Sequence, residues 1–152
     1  MPMSLDLLLT GQMRYMTNHN FEVIMASAEG KEIQRIIESE TCKHRIIPFT
    51  RKITPFKDLI ALFKLYILIR KENPDIIHSH TPKAGLLSML AGKMAGVKLR
   101  LHTVAGLKFE GSQGTERKLL SAMENMTYSF AHKVYPNSYS ILDFVEKHFS
   151  KN

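Results

Sequence analysis

Residues 75–90 read Asp-Ile-Ile-His-Ser-His-Thr-Pro-Lys-Ala-Gly-Leu-Leu-Ser-Met-Leu. Asp75 to His80 has the make-up of a short strand. Ile76 and Ile77 are adjacent, apolar and β-branched, as in a strand covered on both faces of a parallel sheet. Thr81 suits a helix N-cap and Pro82 the first helical position. Leu86, Leu87, Leu90 and Met94 then recur at helical spacing. Strand, tight turn and helix make half of a βαβ unit. Ligands of such sheets sit outside the carboxyl ends of the strands. His80, Thr81 and Lys83 are thereby placed on a rim where chemistry is expected.

Outward from this stretch the same alternation repeats. Asn73-Pro74 ends a preceding helix over 56–72, for which Thr54 and Pro55 supply a start signal. That helix is heavily apolar: Leu59, Ile60, Leu62, Phe63, Leu65, Tyr66, Ile67 and Leu68. Earlier still come a strand over 21–27, a helix over 31–39 with Ile33, Ile36 and Ile37 inward, and a strand over 44–48. The opening residues favour a helix capped by Ser4 and interrupted at Gly11. Downstream, Gly96 ends the 82–95 helix. A strand over 98–102, a long loop over 103–113 and a helix over 115–131 follow. A last strand over 132–136 and a helix over 139–149, with Ile141, Leu142 and Val145 inward, complete the pattern.

This alternation predicts an α/β fold, a doubly wound parallel sheet with right-handed crossovers. Such domains normally open on a strand that lies centrally in the sheet. Here the first element is a helix and residues 1–4 are too few for a strand. We therefore expect the first strand to lie upstream of Met1.

The 152 residues are expected to form one domain, and 44% hydrophobic content is ordinary for a globular chain. A single cysteine, Cys42, excludes an internal disulfide and suits a reducing compartment. No basic leader with a small-residue cleavage site is visible, and no apolar run reaches the length of a membrane span. The net charge of +7 favours anionic partners such as nucleotide diphosphates, acidic lipid or nucleic acid. Zinc-ligand cysteines and helix-turn-helix spacing are missing, which argues against specific nucleic-acid recognition. Arg51, Lys52, Lys57 and Lys64 give the 51–72 segment a basic surface. Two readings stand for it: a crossover helix with a basic outer edge, and a surface lying against an anionic membrane.

Several side chains have the chemistry of a site. His78 and His80 share a strand face, and His102 ends the next strand. A metal site needs a further ligand that the spacing does not provide. His102 leads into Thr103-Val104-Ala105-Gly106, where Gly106 allows close backbone approach; a packed, hydrogen-bonded histidine is the alternative. Lys83 opposes the dipole of its helix, which an anionic ligand would explain. Glu110 is the only acid of the 103–113 loop and suits a base or a hydroxyl-orienting role. Gly11 precedes a helix start, and Asn137-Ser138 mark another strand-to-helix turn; both are places where backbone N–H groups can meet phosphate.

Taken together, Thr-Pro-Lys-Ala-Gly at 81–85, Arg-Leu-His-Thr-Val-Ala-Gly at 100–106 and Tyr-Pro-Asn-Ser at 135–138 resemble the N-terminal half of family 4 glycosyltransferases. Bacterial enzymes of surface-polysaccharide and lipid-linked glycan assembly are the nearest in pattern. Ser4-Leu5, Gly11-Gln12 and the 51–59 segment fit the same order, so the likeness covers nearly the whole chain. The resemblance implies a Rossmann-like half of a GT-B fold, with the donor-binding C-terminal domain absent. It implies a retaining transfer from a nucleotide sugar, a UDP-sugar, to a lipid-linked or glycan acceptor without metal or other cofactor. It further implies His102 as the active-site histidine. Thr81, Lys83, Gly106 and Glu110 would lie on the acceptor side, and Gly11, Asn137 and Ser138 near the donor phosphates and cleft. Membrane association at the cytoplasmic face, through Arg51, Lys52, Lys57 and Lys64, follows from a lipid-linked acceptor. Two features depart from the pattern: the opening strand is absent, and Gln12 stands where many relatives have a second glycine. Such a fragment is not expected to transfer sugar alone, because half of the transition-state contacts would be missing.

Two rivals are weighed. A nucleotide-sugar epimerase-like Rossmann enzyme lacks its Gly-x-Gly-x-x-Gly and Tyr-x-x-x-Lys motifs here. A non-catalytic module holding anionic lipid or nucleic acid on its basic face is the other.

Overall fold

The computed structural model describes residues 2–106 and 113–149. In chain order the elements are α1 (Pro2–Leu8), α2 (Gln12–Asn18), β1 (Ile24–Ser27), α3 (Ile33–Glu40), β2 (Lys43–Ile46) and α4 (Pro55–Glu72). They continue as β3 (Ile76–Ser79), α5 (Pro82–Met94), β4 (Leu99–Val104), α6 (Gly114–Phe130), β5 (Lys133–Pro136) and α7 (Tyr139–Phe149). Among the described residues every strand pairing is parallel, and helices make the crossovers. The α/β class with parallel sheets is as the alternation predicts.

Among the described residues the strands form two sheets, β1-β2 and β3-β4-β5, where the periodicity predicts one. The chain divides correspondingly into two compact units, Met1–Ala61 and Leu62–Asn152.

In the first unit, Leu9, Met13, Met25 and Ile36 are buried together, with Leu5, Val23, Ile37 and Cys42 against them. The opening helix does break at Gly11, whose φ of +80° is a left-handed conformation suited to glycine. Its first piece begins at Pro2, ahead of the expected Ser4 cap. Glu40 is 2% exposed, and its carboxylate accepts the backbone N–H groups of Gly11 at 2.6 Å and Arg14 at 3.0 Å. Those donors at the start of α2 have no partner within the helix, so a carboxylate from α3 supplies one.

In the second unit, β4 outruns its expected end by two residues. Thr103 and Val104 stay in the ladder because Tyr135 and Pro136 of β5 lie opposite them. The long loop is shortened accordingly. Helix α5 lies against β3, β4 and α6. It can come close because it presents Gly92 to the sheet: a Cβ there would meet Ile77 Cδ1 at 2.8 Å. Val104 is buried among Leu120, Tyr128, Val134, Ile141 and Phe144. The last helix therefore turns Phe144 inward with Ile141, while Leu142, expected inside, is exposed.

The largest difference concerns α4. Ala61, Leu65 and Ile69 are buried at four-residue steps. Phe56, Leu59, Ile60, Phe63 and Ile67 are exposed. A helix apolar on both sides has no periodicity that selects one face, so the sequence left its buried face open, and the outer face is apolar as well as basic.

Candidate functional site

The carboxyl ends of β3, β4 and β5 lie side by side, since Ser79 pairs with His102 and Val104 with Pro136. Three short segments leave them: His80 to Lys83, Ala105-Gly106 and Asn137-Ser138. Helices α5 and α7 start from the first and third. Thr81 is extended, at φ −136° and ψ 146°, and Pro82 follows at the head of α5. The N-cap position is as predicted, although the threonine hydroxyl makes no capping hydrogen bond. Lys83 lies in the first turn, which contains no acidic residue. At the other start, Ser138 Oγ accepts the N–H of Ile141 at 3.3 Å. The Asn137 N–H donates to the Val104 carbonyl at 3.2 Å, tying the two segments together. Gly106 has open space where a Cβ would be. Thr81, Lys83, Gly106, Asn137 and Ser138 are thus gathered on one rim of the second unit. Glu110 lies outside the described residues. Gly11 belongs to the first unit, where its N–H is engaged by Glu40.

The histidines divide between the two faces of the sheet. His78 and His80 share a face, with ring centroids 4.1 Å apart, and Nε2 of His78 hydrogen-bonds Thr103 Oγ1 at 2.8 Å. The ring of His78 also meets the edge of Tyr135, centroids 6.3 Å apart. His102 points to the opposite face, under α5, and is 1% exposed. Its Nδ1 shares a 2.8 Å hydrogen bond with Ser79 Oγ, and its ring centroid lies 6.0 Å from that of Tyr128. Burial pushes the His102 imidazole down to about 4, with the nearby His78 adding to the effect. Burial does the same to His80, also to about 4, aided by His78 and His102. Both rings are therefore neutral at pH 7. Burial and the neighbouring Glu124 hold the Tyr128 phenol protonated, well above its usual range. Among the described residues no three His, Cys, Asp or Glu side chains converge as a metal set.

The sequence places His102 at the end of its strand, but β4 runs on to Val104, so His102 lies two residues inside the strand and is buried; what holds it is not legible in the sequence. Ser79 is its polar partner, and Gly85 makes room for it. A Cβ on Gly85 would lie 2.6 Å from His102 Cε1 and 3.0 Å from Nδ1. The only signal was Gly85 inside a helical pattern, which carries a propensity cost and so implies a packing reason. Gly85→Ala is expected to destabilise the chain by about 1–3 kcal/mol in urea unfolding, despite alanine's better helix propensity. A variant as stable as the parent would mean that the imidazole shifts without cost.

A shallow concavity at the other end of this unit is lined by Ile69, Asn73, Pro74, Asp75, Gly96 and Lys98. It lies where strands begin, so it is not where a parallel sheet holds ligands.

Parallel strands joined by helical crossovers, with two helix starts on one carboxyl rim, define a Rossmann-like α/β domain. The chain belongs to the glycosyl transferase 4-like family, whose sequence model matches residues 6–138. It is similar to the capsular polysaccharide biosynthesis glycosyltransferase CapM of Staphylococcus aureus. Identity is 34% over 134 residues, covering 88% of this chain and 34% of that protein. It is also similar to the UDP-Gal:alpha-D-GlcNAc-diphosphoundecaprenol alpha-1,3-galactosyltransferase of Escherichia coli. Identity there is 31% over 103 residues, 68% of this chain and 27% of that protein. The chain spans about a third of the length of these curated relatives.

Proposed function

We propose that this chain is the acceptor-side half of a retaining glycosyltransferase of GT-B architecture. The whole enzyme would move a sugar from a nucleotide sugar, a UDP-sugar, to a lipid-linked or polysaccharide acceptor. The observation that carries this is the open rim that gathers Thr81, Lys83, Gly106, Asn137 and Ser138, in a chain matched by the family over residues 6–138. The names of the two relatives support the substrate classes: one acts in capsular polysaccharide synthesis, the other on a diphosphoundecaprenol-linked sugar. Lys83 offers a cation to a diphosphate, and the backbone N–H groups at the starts of α5 and α7 offer donors. His102, buried and neutral, acts as a positioning residue: through Ser79 and Gly85 it fixes the turn that carries Thr81 and Lys83. A lipid-linked acceptor places the protein peripherally at the inner membrane face, and the exposed Arg51, Lys52, Lys57 and Lys64 support that placement.

Calorimetry and amide NMR with a short-chain prenyl-diphosphate sugar test the proposal. Binding is expected to shift the amides of Thr81, Lys83, Asn137 and Ser138. Lys83→Gln is expected to weaken it about tenfold, the worth of roughly one charge-assisted hydrogen bond. A UDP-sugar is expected to bind weakly, its main contacts belonging to the other half. Tight UDP-sugar binding without acceptor binding would reverse the assignment. Salt-sensitive binding of unrelated DNA, with no response to the acceptor, would favour the non-catalytic module.

A further inference from the structure

We infer that His78, His80, Thr103 and Tyr135 form a ledge just below the carboxyl rim that takes the sugar ring of the acceptor, while the rim itself holds the diphosphate. This deepens the acceptor assignment proposed above and rests on that reading.

All four residues belong to the second unit and sit at the ends of three neighbouring strands. They share the sheet face away from His102. Thr103 pairs with Tyr135 across β4 and β5, and the His78 ring meets both side chains. His80 extends the run, its ring 4.1 Å from that of His78. The ledge is open: Tyr135 is 48% exposed, and His78 is exposed too. Faces of parallel sheets are normally aliphatic and covered. Aromatic rings with polar edges, left open at the carboxyl end, therefore need a reason. Each strand carries the ledge straight into the rim. His80 immediately precedes Thr81, and Tyr135 lies two residues before Asn137. At a strand rise of about 3.3 Å per residue, Tyr135 is about 7 Å from Asn137 along the chain, within reach of a group bonded to a rim-held phosphate.

The chemistry of the ledge selects its ligand. A sugar ring has a C–H face that packs on aromatic faces and hydroxyl edges that need partners. Tyr135 and the two imidazoles supply ring faces; Thr103 Oγ1, the Tyr135 hydroxyl and the ring nitrogens supply partners. Loss of water around the rings lowers both imidazoles from their ordinary range, His80 to about 4. Both are neutral at pH 7, so the ledge offers no imidazolium to a phosphate, and Lys83 at the rim keeps that task. A metal would need a further ligand, and among the described residues no set of three converges. A prenyl chain would cover the hydrogen-bonding edges without satisfying them.

The test compares a short-chain prenyl-diphosphate sugar, the same prenyl diphosphate without its sugar, and the free methyl glycosides of glucose, galactose and N-acetylglucosamine. In side-chain NMR, the ring signals of His78, His80 and Tyr135 are expected to shift with the sugar-bearing diphosphate and with at least one glycoside at millimolar concentration. The sugar-free diphosphate should leave them in place. Tyr135→Leu keeps an apolar side chain and removes the ring face. It is expected to weaken the sugar-bearing diphosphate about tenfold and to leave the sugar-free one unchanged. Tyr135→Phe keeps the ring and should stay within about twofold of the parent. A Tyr135→Leu variant that binds the sugar-bearing diphosphate as the parent does would overturn the inference. Equal weakening of both diphosphates would do so too, because Tyr135 would then prop the rim or touch the prenyl chain. The two readings fail separately. Diphosphate binding at Thr81 and Lys83 with silent ledge rings removes only this inference. Glycosides that shift the ledge while neither diphosphate binds remove only the diphosphate assignment.

Discussion

Between pH 6.5 and about 4 the folded chain is expected to lose roughly 3 kcal/mol of stability through His102 alone. The imidazole is sealed between Ser79 and α5 and titrates near 4, against 6.5 for a free histidine. Over that window the unfolded chain binds a proton that the native chain refuses. Stability therefore rises with pH there, by about 1.4 kcal/mol per pH unit for one proton. The contribution is fully present above pH 6.5 and is lost as pH falls towards 4. His80, depressed for the same reason, steepens the slope in the same direction. Urea unfolding at half-unit pH steps measures it. His102→Asn is expected to be less stable at pH 7 and to flatten the slope by about one proton. An unchanged slope in that variant would show that His102 is not the group that titrates. Under the proposed function, protonating His102 is expected to loosen its hold on Ser79, the last residue of β3 before the turn that leads to Thr81 and Lys83.

Removing the Glu40 carboxylate is expected to cost a similar amount by a different route. Glu40→Ala leaves the N–H groups of Gly11 and Arg14 without the acceptor they now share. Two hydrogen bonds to a charged acceptor, at a site where Glu40 is 2% exposed, are worth about 2–4 kcal/mol together. Glu40→Gln keeps the shape and one acceptor oxygen but turns an NH2 group toward the second donor, so its cost should be smaller but measurable. Denaturant unfolding gives the magnitude. Hydrogen exchange should show the Gly11 and Arg14 amides losing protection before those of β4. If Glu40→Ala unfolds like the parent, water replaces the carboxylate at no cost and α2 does not depend on α3 for its start. The same geometry bears on the expectation that Gly11 faces donor phosphates, because its N–H already has an anionic partner within the chain.

The route from residues to fold was short where the signals are local. Ile76-Ile77 before Thr81-Pro82, the stops at Asn73-Pro74 and Gly96, and the helical spacing of Leu86, Leu87 and Leu90 each act within a few residues. They sufficed to place β3, α5 and the crossovers, and with them the rim that gathers Thr81, Lys83, Gly106, Asn137 and Ser138. The extension of β4 to Val104 was not legible, because it depends on a partner strand about thirty residues later. Phe144 replaced Leu142 inside for a similar reason: α7 is oriented by Val104, and its own pattern allowed either.

By itself, then, the sequence determined the parallel α/β class, the order of its elements and the residues at the strand ends, since short-range patterning and turn chemistry carry that information. Only the tertiary structure decided that His102 is sealed beneath α5, that Glu40 caps a helix 26–29 residues away, and that α4 turns five large apolar side chains to the outside. Burial and long-range pairing are set by what packs opposite a residue, and nothing in a residue's own neighbourhood along the chain encodes that.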